Sequence, residues 1–304
     1  MSRLAALRIV PTERVAGLLL LMGAAFWGLT FPAAKEALEI MGPFAFMTWS
    51  RAVGFLSLVP LAWGTPRARW REALPLGVLL GILLFFAYLF QTLGLERTTA
   101  TNAGFLTGLY VVGTPLFGAV IYRKWPSARV LVAVAMSTVG LALLSLRGWS
   151  FSPGDSLVMV SVIFWSLQIL AVGRGADRDP VVLILVEMAF ATVLHALSSG
   201  FDLQVDVLHR AWPYLIITGV LGTGLAYFVQ IIGQRRISPT RTAIIYTGEP
   251  VFAALFSALW LGERLNVRGW TGASIIIAAM IVAETGGPGE PVIEAPPDPV
   301  RQGP

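Results

Sequence analysis

Ten apolar runs follow one another with hardly a pause along a chain of 304 residues. They are Val15–Ala34, Phe44–Trp63, Leu74–Gly94, Ala103–Tyr122, Val130–Leu146, Ser156–Val172, Val181–Ser199, Trp212–Gly233, Thr242–Leu261 and Val267–Glu284. Each holds 17 to 22 residues, and a helix crossing a hydrocarbon core of roughly 30 Å needs about 20. The segments between them are too short for a soluble domain. Backbone in lipid must satisfy its own hydrogen bonds, so the runs are predicted to be helices. Strands of a membrane barrel would be shorter and would alternate apolar with polar. The expected fold is an all-α integral membrane protein with ten transmembrane helices.

Composition narrows what such a body does. Charged residues make up 13% of the chain, against about 25% in a soluble domain. There is no cysteine and there are two histidines, His195 and His209, so thiolate chemistry is excluded and neither a metal nor a cofactor is expected. No phosphate-binding G-x-x-x-x-G-K-[ST] loop, H-E-x-x-H or nucleophile elbow occurs, which argues against ATP hydrolysis and against an enzyme. The first run follows Arg3, Arg8 and Arg14, yet it is too long for a signal peptide, lacks an A-x-A site and is followed by nine comparable runs.

A net charge of +5 would suggest nucleic acid in a soluble chain. Its placement points to a membrane instead. With the N-terminus inside, the cytoplasmic segments collect 15 Lys or Arg and the opposite segments six, with Arg51 inside the second run. That asymmetry predicts cytoplasmic termini in a bacterial inner membrane and no nucleic-acid partner. Trp63, Trp70, Trp125, Trp149 and Trp212 fit an interfacial belt. Residues 286–304, rich in Pro and Gly, are expected to form a disordered cytoplasmic tail.

Fifteen residues from Ala87, AYLFQTLGLERTTAT, return 139 residues later as AYFVQIIGQRRISPT, with six identities. The copies end runs three and eight, five crossings apart. Five is odd, so the second copy must run through the bilayer in the opposite sense, as in inverted-topology repeats. Phe26-Trp27 and Phe164-Trp165 match at an offset of 138, and Arg129 and Arg268 at 139; Pro115 and Pro250 align only with one turn inserted. The expected organisation is a cytoplasmic segment 1–14, repeats at 15–149 and 150–285, and the tail.

Three segments, AAFWGLTFPAAK from Ala24, QTLGLERTTATNAGFLTGLYVVGTPL from Gln91 and RRISPTRTAIIYTGEPVFAALFSALWLGERL from Arg235, resemble the drug/metabolite transporter superfamily. Within it the chain resembles the EamA family, over about residues 15 to 284. It looks most like the YddG branch of aromatic amino acid exporters. The resemblance implies ten helices, a cytoplasmic N-terminus and a central substrate cavity. The first half departs from the pattern: it reads YRKWP from Tyr122 and lacks the usual glycine-glutamate pair.

Candidate site residues come from the repeat and from polar groups within the runs. Tyr88 and Gln91 share a helical face with Ala87 and Gly94, and Tyr227 and Gln230 repeat that face. Amide and phenol groups both donate and accept, which suits the ends of a zwitterionic or uncharged ligand; their alternative role is bonding between helices. Trp27 with Thr30, and Trp165 with Gln168, are i, i+3 pairs whose rings offer flat surface for an aromatic substrate. Arg51, Glu187, His195 and Glu249 are ionisable groups inside runs, where charge is costly. Arg51 and Glu187 lie at comparable depths and are candidates to pair. Glu249, with Tyr246 one turn before it and Pro250 after it, is a candidate for proton coupling at a proline kink. Gly77-x-x-x-Gly81 and Gly104-x-x-x-Gly108 suit close helix packing.

The expected function is a secondary transporter or facilitated exporter of small amphipathic metabolites, aromatic or large apolar amino acids above all, acting by alternating access. Its partners are a small-molecule substrate and the lipid bilayer, with the chain a monomer or weak oligomer. A membrane channel, a proton-coupled exporter of drugs or other metabolites, and an intramembrane lipid-processing enzyme are the rivals.

Overall fold

The structure is a computed structural model describing residues 11–98, 100–145, 152–175, 177–261 and 266–284. The tail from 286 and Trp149 lie outside them. The helices are α1 (Glu13–Leu38), α2 (Pro43–Leu58), α3 (Arg67–Glu96), α4 (Ala100–Gly108), α5 (Tyr110–Tyr122), α6 (Ala128–Ser145) and α7 (Pro153–Gly175). There follow α8 (Pro180–Ser198), α9 (Leu208–Ile216), α10 (Ala226–Gly233), α11 (Pro239–Tyr246), α12 (Gly248–Leu261) and α13 (Val267–Glu284). A wider π-helical stretch, Ile217–Leu225, joins α9 to α10. No strand occurs among the described residues.

Among the described residues, seven helical stretches are long and apolar enough to cross a membrane, and α6 and α13 are shorter apolar helices. Together α11 and α12 make the ninth crossing in chain order, which brings the count to ten, so the fold is the expected all-α membrane body of ten crossings. Its outer surface is apolar: Val120 and Leu259 are each 76% exposed, which is costly in water and ordinary against lipid tails. Trp63 and Trp125 stand exposed beside helix ends.

Local chemistry fixes where helices begin at the arginine-rich end. Thr12 accepts from Val15 N at 3.4 Å and Asp179 from Val182 N at 3.3 Å, each satisfying a backbone donor that a first turn leaves free. Pro180 and Pro239 occupy first helical positions, where a missing N–H costs nothing.

Crossings four and nine are both broken at matching places. Leu109, between α4 and α5, has φ −64° and ψ −7°; Thr247, between α11 and α12, has φ −64° and ψ −8°. In each the turn tightens, with Leu109 N bonding Leu106 O at 3.1 Å and Thr247 N bonding Ile244 O at 3.1 Å. Proline accounts for one break and not the other. Pro115 lies inside α5, past the break at Leu109. Pro250 sits in the first turn of α12 and withholds the N–H that Tyr246 O would accept, a carbonyl that takes the Tyr110 hydroxyl instead. The kink expected at Pro250 is thus the break at Thr247, three residues earlier.

Helices approach closely through small residues. A Cβ on Gly77 would sit 2.6 Å from Val186 Cγ1, and one on Gly81 would sit 2.7 Å from Phe190 Cβ, so the first G-x-x-x-G pair seats α3 on α8. In the second pair, Gly108 meets Leu141 but Gly104 faces open space. Pairing of mirrored helices is equally direct: α6 and α13 touch backbone to backbone at Gly140 and Gly272. Gly28 packs against Phe252, and its counterparts Ser166 and Gly113 meet with large and small exchanged.

Candidate functional site

An open cavity lies between the two halves. Its wall includes Thr30 and Ala34 of α1, Phe46 and Arg51 of α2, Leu95 of α3, and Thr218 and Gly222 of the π stretch. These positions run from the middle of the bundle toward the end opposite the arginine-rich one.

At that arginine-rich end the helices are tied together. Arg69 pairs with Asp179 at 2.7 Å, Arg241 pairs with Glu13, Arg178 donates to Glu72 O at 3.2 Å, and Arg236 donates to Pro11 O at 3.2 Å. Between these ties and the cavity lies a buried amide layer. Gln230 Nε2 donates to Gln168 Oε1 at 3.0 Å and to Gln234 Oε1 at 3.1 Å, Gln234 Nε2 donates to Ile169 O at 2.8 Å, and Gln168 Nε2 reaches Glu187 Oε1 at 3.4 Å. The cavity is thus floored by hydrogen-bonded side chains.

Aromatic rings form its middle. Trp27 meets Tyr227 edge to face at 5.3 Å and 70°, and Trp165 meets Tyr88 the same way at 5.0 Å and 79°. The two contacts are images of each other under the repeat. Tyr227 Oη donates to Tyr88 Oη at 3.4 Å, closing a four-ring chain, and Tyr246 adds an edge to Trp27 at 4.8 Å. Such pairs gain from the ring quadrupoles as well as from burial.

The symmetry fails at one point. Trp27 Nε1 donates to Gly222 O at 2.7 Å, a carbonyl made available where Gly219, Gly222 and Gly224 let the helix widen. Its image in α3 is regular helix, and the image donor, Trp165 Nε1, is buried with no partner. Widened turns of this kind cluster at functional sites.

Arg51, Glu187 and Glu249 are ionisable side chains buried in or beside the cavity. Arg51 stacks over the Tyr88 ring, its central carbon 3.7 Å from the centroid, and Nη2 donates to Ser50 Oγ at 2.8 Å. Glu249 Oε2 accepts from Tyr110 Oη at 3.3 Å, and the same hydroxyl reaches Tyr246 O at 2.8 Å across the break. Glu187 is buried behind the floor. The pairing expected of Arg51 and Glu187 does not form: among the described residues Arg51 makes no ion pair, because the Tyr88 ring and Ser50 hold it.

Of the residues singled out from the sequence, the cavity wall brings together Trp27, Arg51, Tyr88, Gln91, Trp165, Gln168, Tyr246 and Glu249. Tyr227, Gln230 and Glu187 are outside that wall, fully buried beneath it. Sequence reasoning missed Tyr110, Thr107, to which Gln91 donates at 3.1 Å, and Thr218. Tyr110 was within reach, since it precedes Glu249 by the repeat offset of 139.

A ten-crossing helical body enclosing a cavity between mirrored halves defines the class of multi-pass membrane transporters. The model of the EamA-like transporter family matches residues 15–146 and again 152–285, and the chain belongs to that family. It is 32% identical over 264 residues to an "Uncharacterized transporter" of Archaeoglobus fulgidus, covering 85% of this chain and 82% of that one. It is 23% identical over 197 residues to the "Uncharacterized inner membrane transporter YicL" of Salmonella typhimurium, covering 62% and 64%. One crystal structure superposes with a TM-score of 0.77 at 19% identity, over 89% of this chain and 96% of that one, a likeness of fold.

Proposed function

We propose that this transporter is a secondary carrier that moves small amphipathic metabolites, in particular aromatic or large apolar amino acids, by alternating access. The observation that carries the reading is the ring-lined cavity floored by the Gln168, Gln230 and Gln234 layer. Flat rings suit an aromatic body, and neighbouring amides and hydroxyls suit its polar end. A closed floor favours a carrier over an open pore.

The mirrored halves supply a second conformation. Gln168 and Gln230 correspond to Thr30 and Gln91, at offsets of 138 and 139, and Gln234 corresponds to Leu95. In the present pose the first set is joined and the second lines the cavity. Exchanging the roles of the halves closes Thr30, Gln91 and Leu95 together and parts the amide layer, opening the cavity at the arginine-rich end.

We place that end in the cytoplasm, with both termini, because the sequence segments assigned to that side carry 15 of the 22 Lys and Arg residues; the Salmonella relative's name supports the inner membrane. Proton coupling is a second reading, favoured by Glu249 in the cavity wall with Tyr110 on its carboxylate.

The test is counterflow in proteoliposomes preloaded with a panel of amino acids, with and without a pH gradient. Saturable exchange of aromatic amino acids is expected. Flux that neither saturates nor exchanges would make the protein a channel, and exchange of other metabolites alone would remove the amino acids.

A further inference from the structure

Arg51 is held in a way that leaves most of its hydrogen-bonding capacity unused. It is 2% exposed, and one face of the guanidinium lies on the Tyr88 ring. Nη2 donates to Ser50 Oγ, Ser50 donates to Thr218 Oγ1 at 3.0 Å, and Thr218 donates to Tyr214 O at 2.8 Å. This one-way chain fixes the head group from one side. Nε and Nη1, which carry three N–H donors, have no acceptor.

A guanidinium stays charged in any protein environment, and a buried charge without a counter-ion is strongly unfavourable. Neither nearby carboxylate pairs with it: Glu249 accepts from Tyr110 at 3.3 Å, and Glu187, behind the floor and outside the wall, is met by Gln168 at 3.4 Å through Oε1 while its Oε2 has no partner. Two other buried atoms of the wall also lack a partner, Trp165 Nε1 and Tyr246 Oη, and both can donate. The wall is therefore short of acceptors next to a fixed positive charge.

We infer that Arg51 is the anchor for an anionic group of the transported molecule, so that recognised substrates carry a carboxylate on an aromatic or large apolar body, with the ammonium of an amino acid dispensable. A carboxylate brings two oxygens that only accept and the opposite charge. This deepens the carrier reading and rests on it only for the steps after binding.

Binding to the purified full-length protein, measured calorimetrically, tests the inference separately from transport. The probes are 3-phenylpropionate, its neutral amide 3-phenylpropionamide, phenethylamine and phenylalanine. For the wild type, 3-phenylpropionate and phenylalanine are expected to bind, and the amide and the amine to bind more weakly by on the order of tenfold or more. Arg51→Gln should weaken the two acids by a similar factor and leave the amide unchanged, while Arg51→Lys recovers part of the loss.

Equal wild-type affinity for acid and amide, tighter binding of phenethylamine, or no binding of 3-phenylpropionate would each overturn the inference without any variant. Acid binding that survives Arg51→Gln would do so too. Binding that depends on Arg51, with no counterflow in vesicles, would leave the anchor standing and remove the carrier reading.

Discussion

Tyr88 and Tyr227 are copies of one residue, separated by 139 positions, and their hydroxyls bond each other at 3.4 Å. Tyr110 and Glu249, separated by the same 139, do likewise at 3.3 Å. A residue touches its own repeat counterpart only near the axis that relates the halves. The first bond therefore marks the pseudo-two-fold axis; the second, whose partners are one residue out of step with the matched breaks at Leu109 and Thr247, lies beside it in the cavity wall.

The first bond sets a stability prediction. Tyr88→Phe and Tyr227→Phe each remove the same interaction, so each should cost about 1 kcal/mol and the double variant little more than either alone. Thermal unfolding in detergent measures this. Fully additive losses would mean that the hydroxyls contribute independently.

Alternation between mirrored poses predicts opposite accessibility for counterparts. Because the chain has no cysteine, Gln91→Cys and Gln230→Cys can be labelled with an impermeant maleimide without background. Gln91→Cys should react from the periplasmic side and Gln230→Cys from the cytoplasmic side, the latter faster during turnover. Labelling of both from one side would remove the two-gate scheme.

If Glu249 exchanges a proton, flux in wild-type proteoliposomes should respond to a pH gradient, and Glu249→Gln should abolish that response while substrate still binds. Tyr110→Phe, which deletes the donor on the carboxylate, should shift the profile without abolishing it. A wild type indifferent to pH ends the coupling reading.

Close packing of α3 on α8 predicts that Gly81→Val destabilises the fold by about 1–3 kcal/mol through overpacking, since its Cβ would meet Phe190 Cβ at 2.7 Å and Glu187 O at 2.9 Å. Gly104→Ala, facing open space, should be neutral or stabilising by up to about 1 kcal/mol. Melting temperatures of the two variants give the comparison.

The crossings were legible because lipid imposes one requirement, about 20 apolar residues, that a linear reading detects directly. Trp27, Tyr88, Gln91 and Trp165 were legible because the duplication repeats them, and Gln168 because it stands one turn after Trp165. The break at Leu109 was not, since proline is the ordinary cause of a break and Pro115 lies inside α5 instead. Nor was the isolation of Arg51 from Glu187: equal depth in two helices says nothing about which way each side chain turns. The π stretch escaped because its glycines also read as ordinary packing residues, and the bond from Trp27 that uses it spans 195 positions.

That bond from Trp27 to Gly222 belongs to one half alone, and its image cannot form while the image helix stays regular. A body of perfect symmetry would face either compartment for equal fractions of time. In the proposed carrier the empty protein instead rests unevenly, favouring the periplasm, so half-saturation should differ between influx and efflux even with no gradient applied. Trp27→Phe, which keeps the ring and loses the donor, should bring the two values closer together.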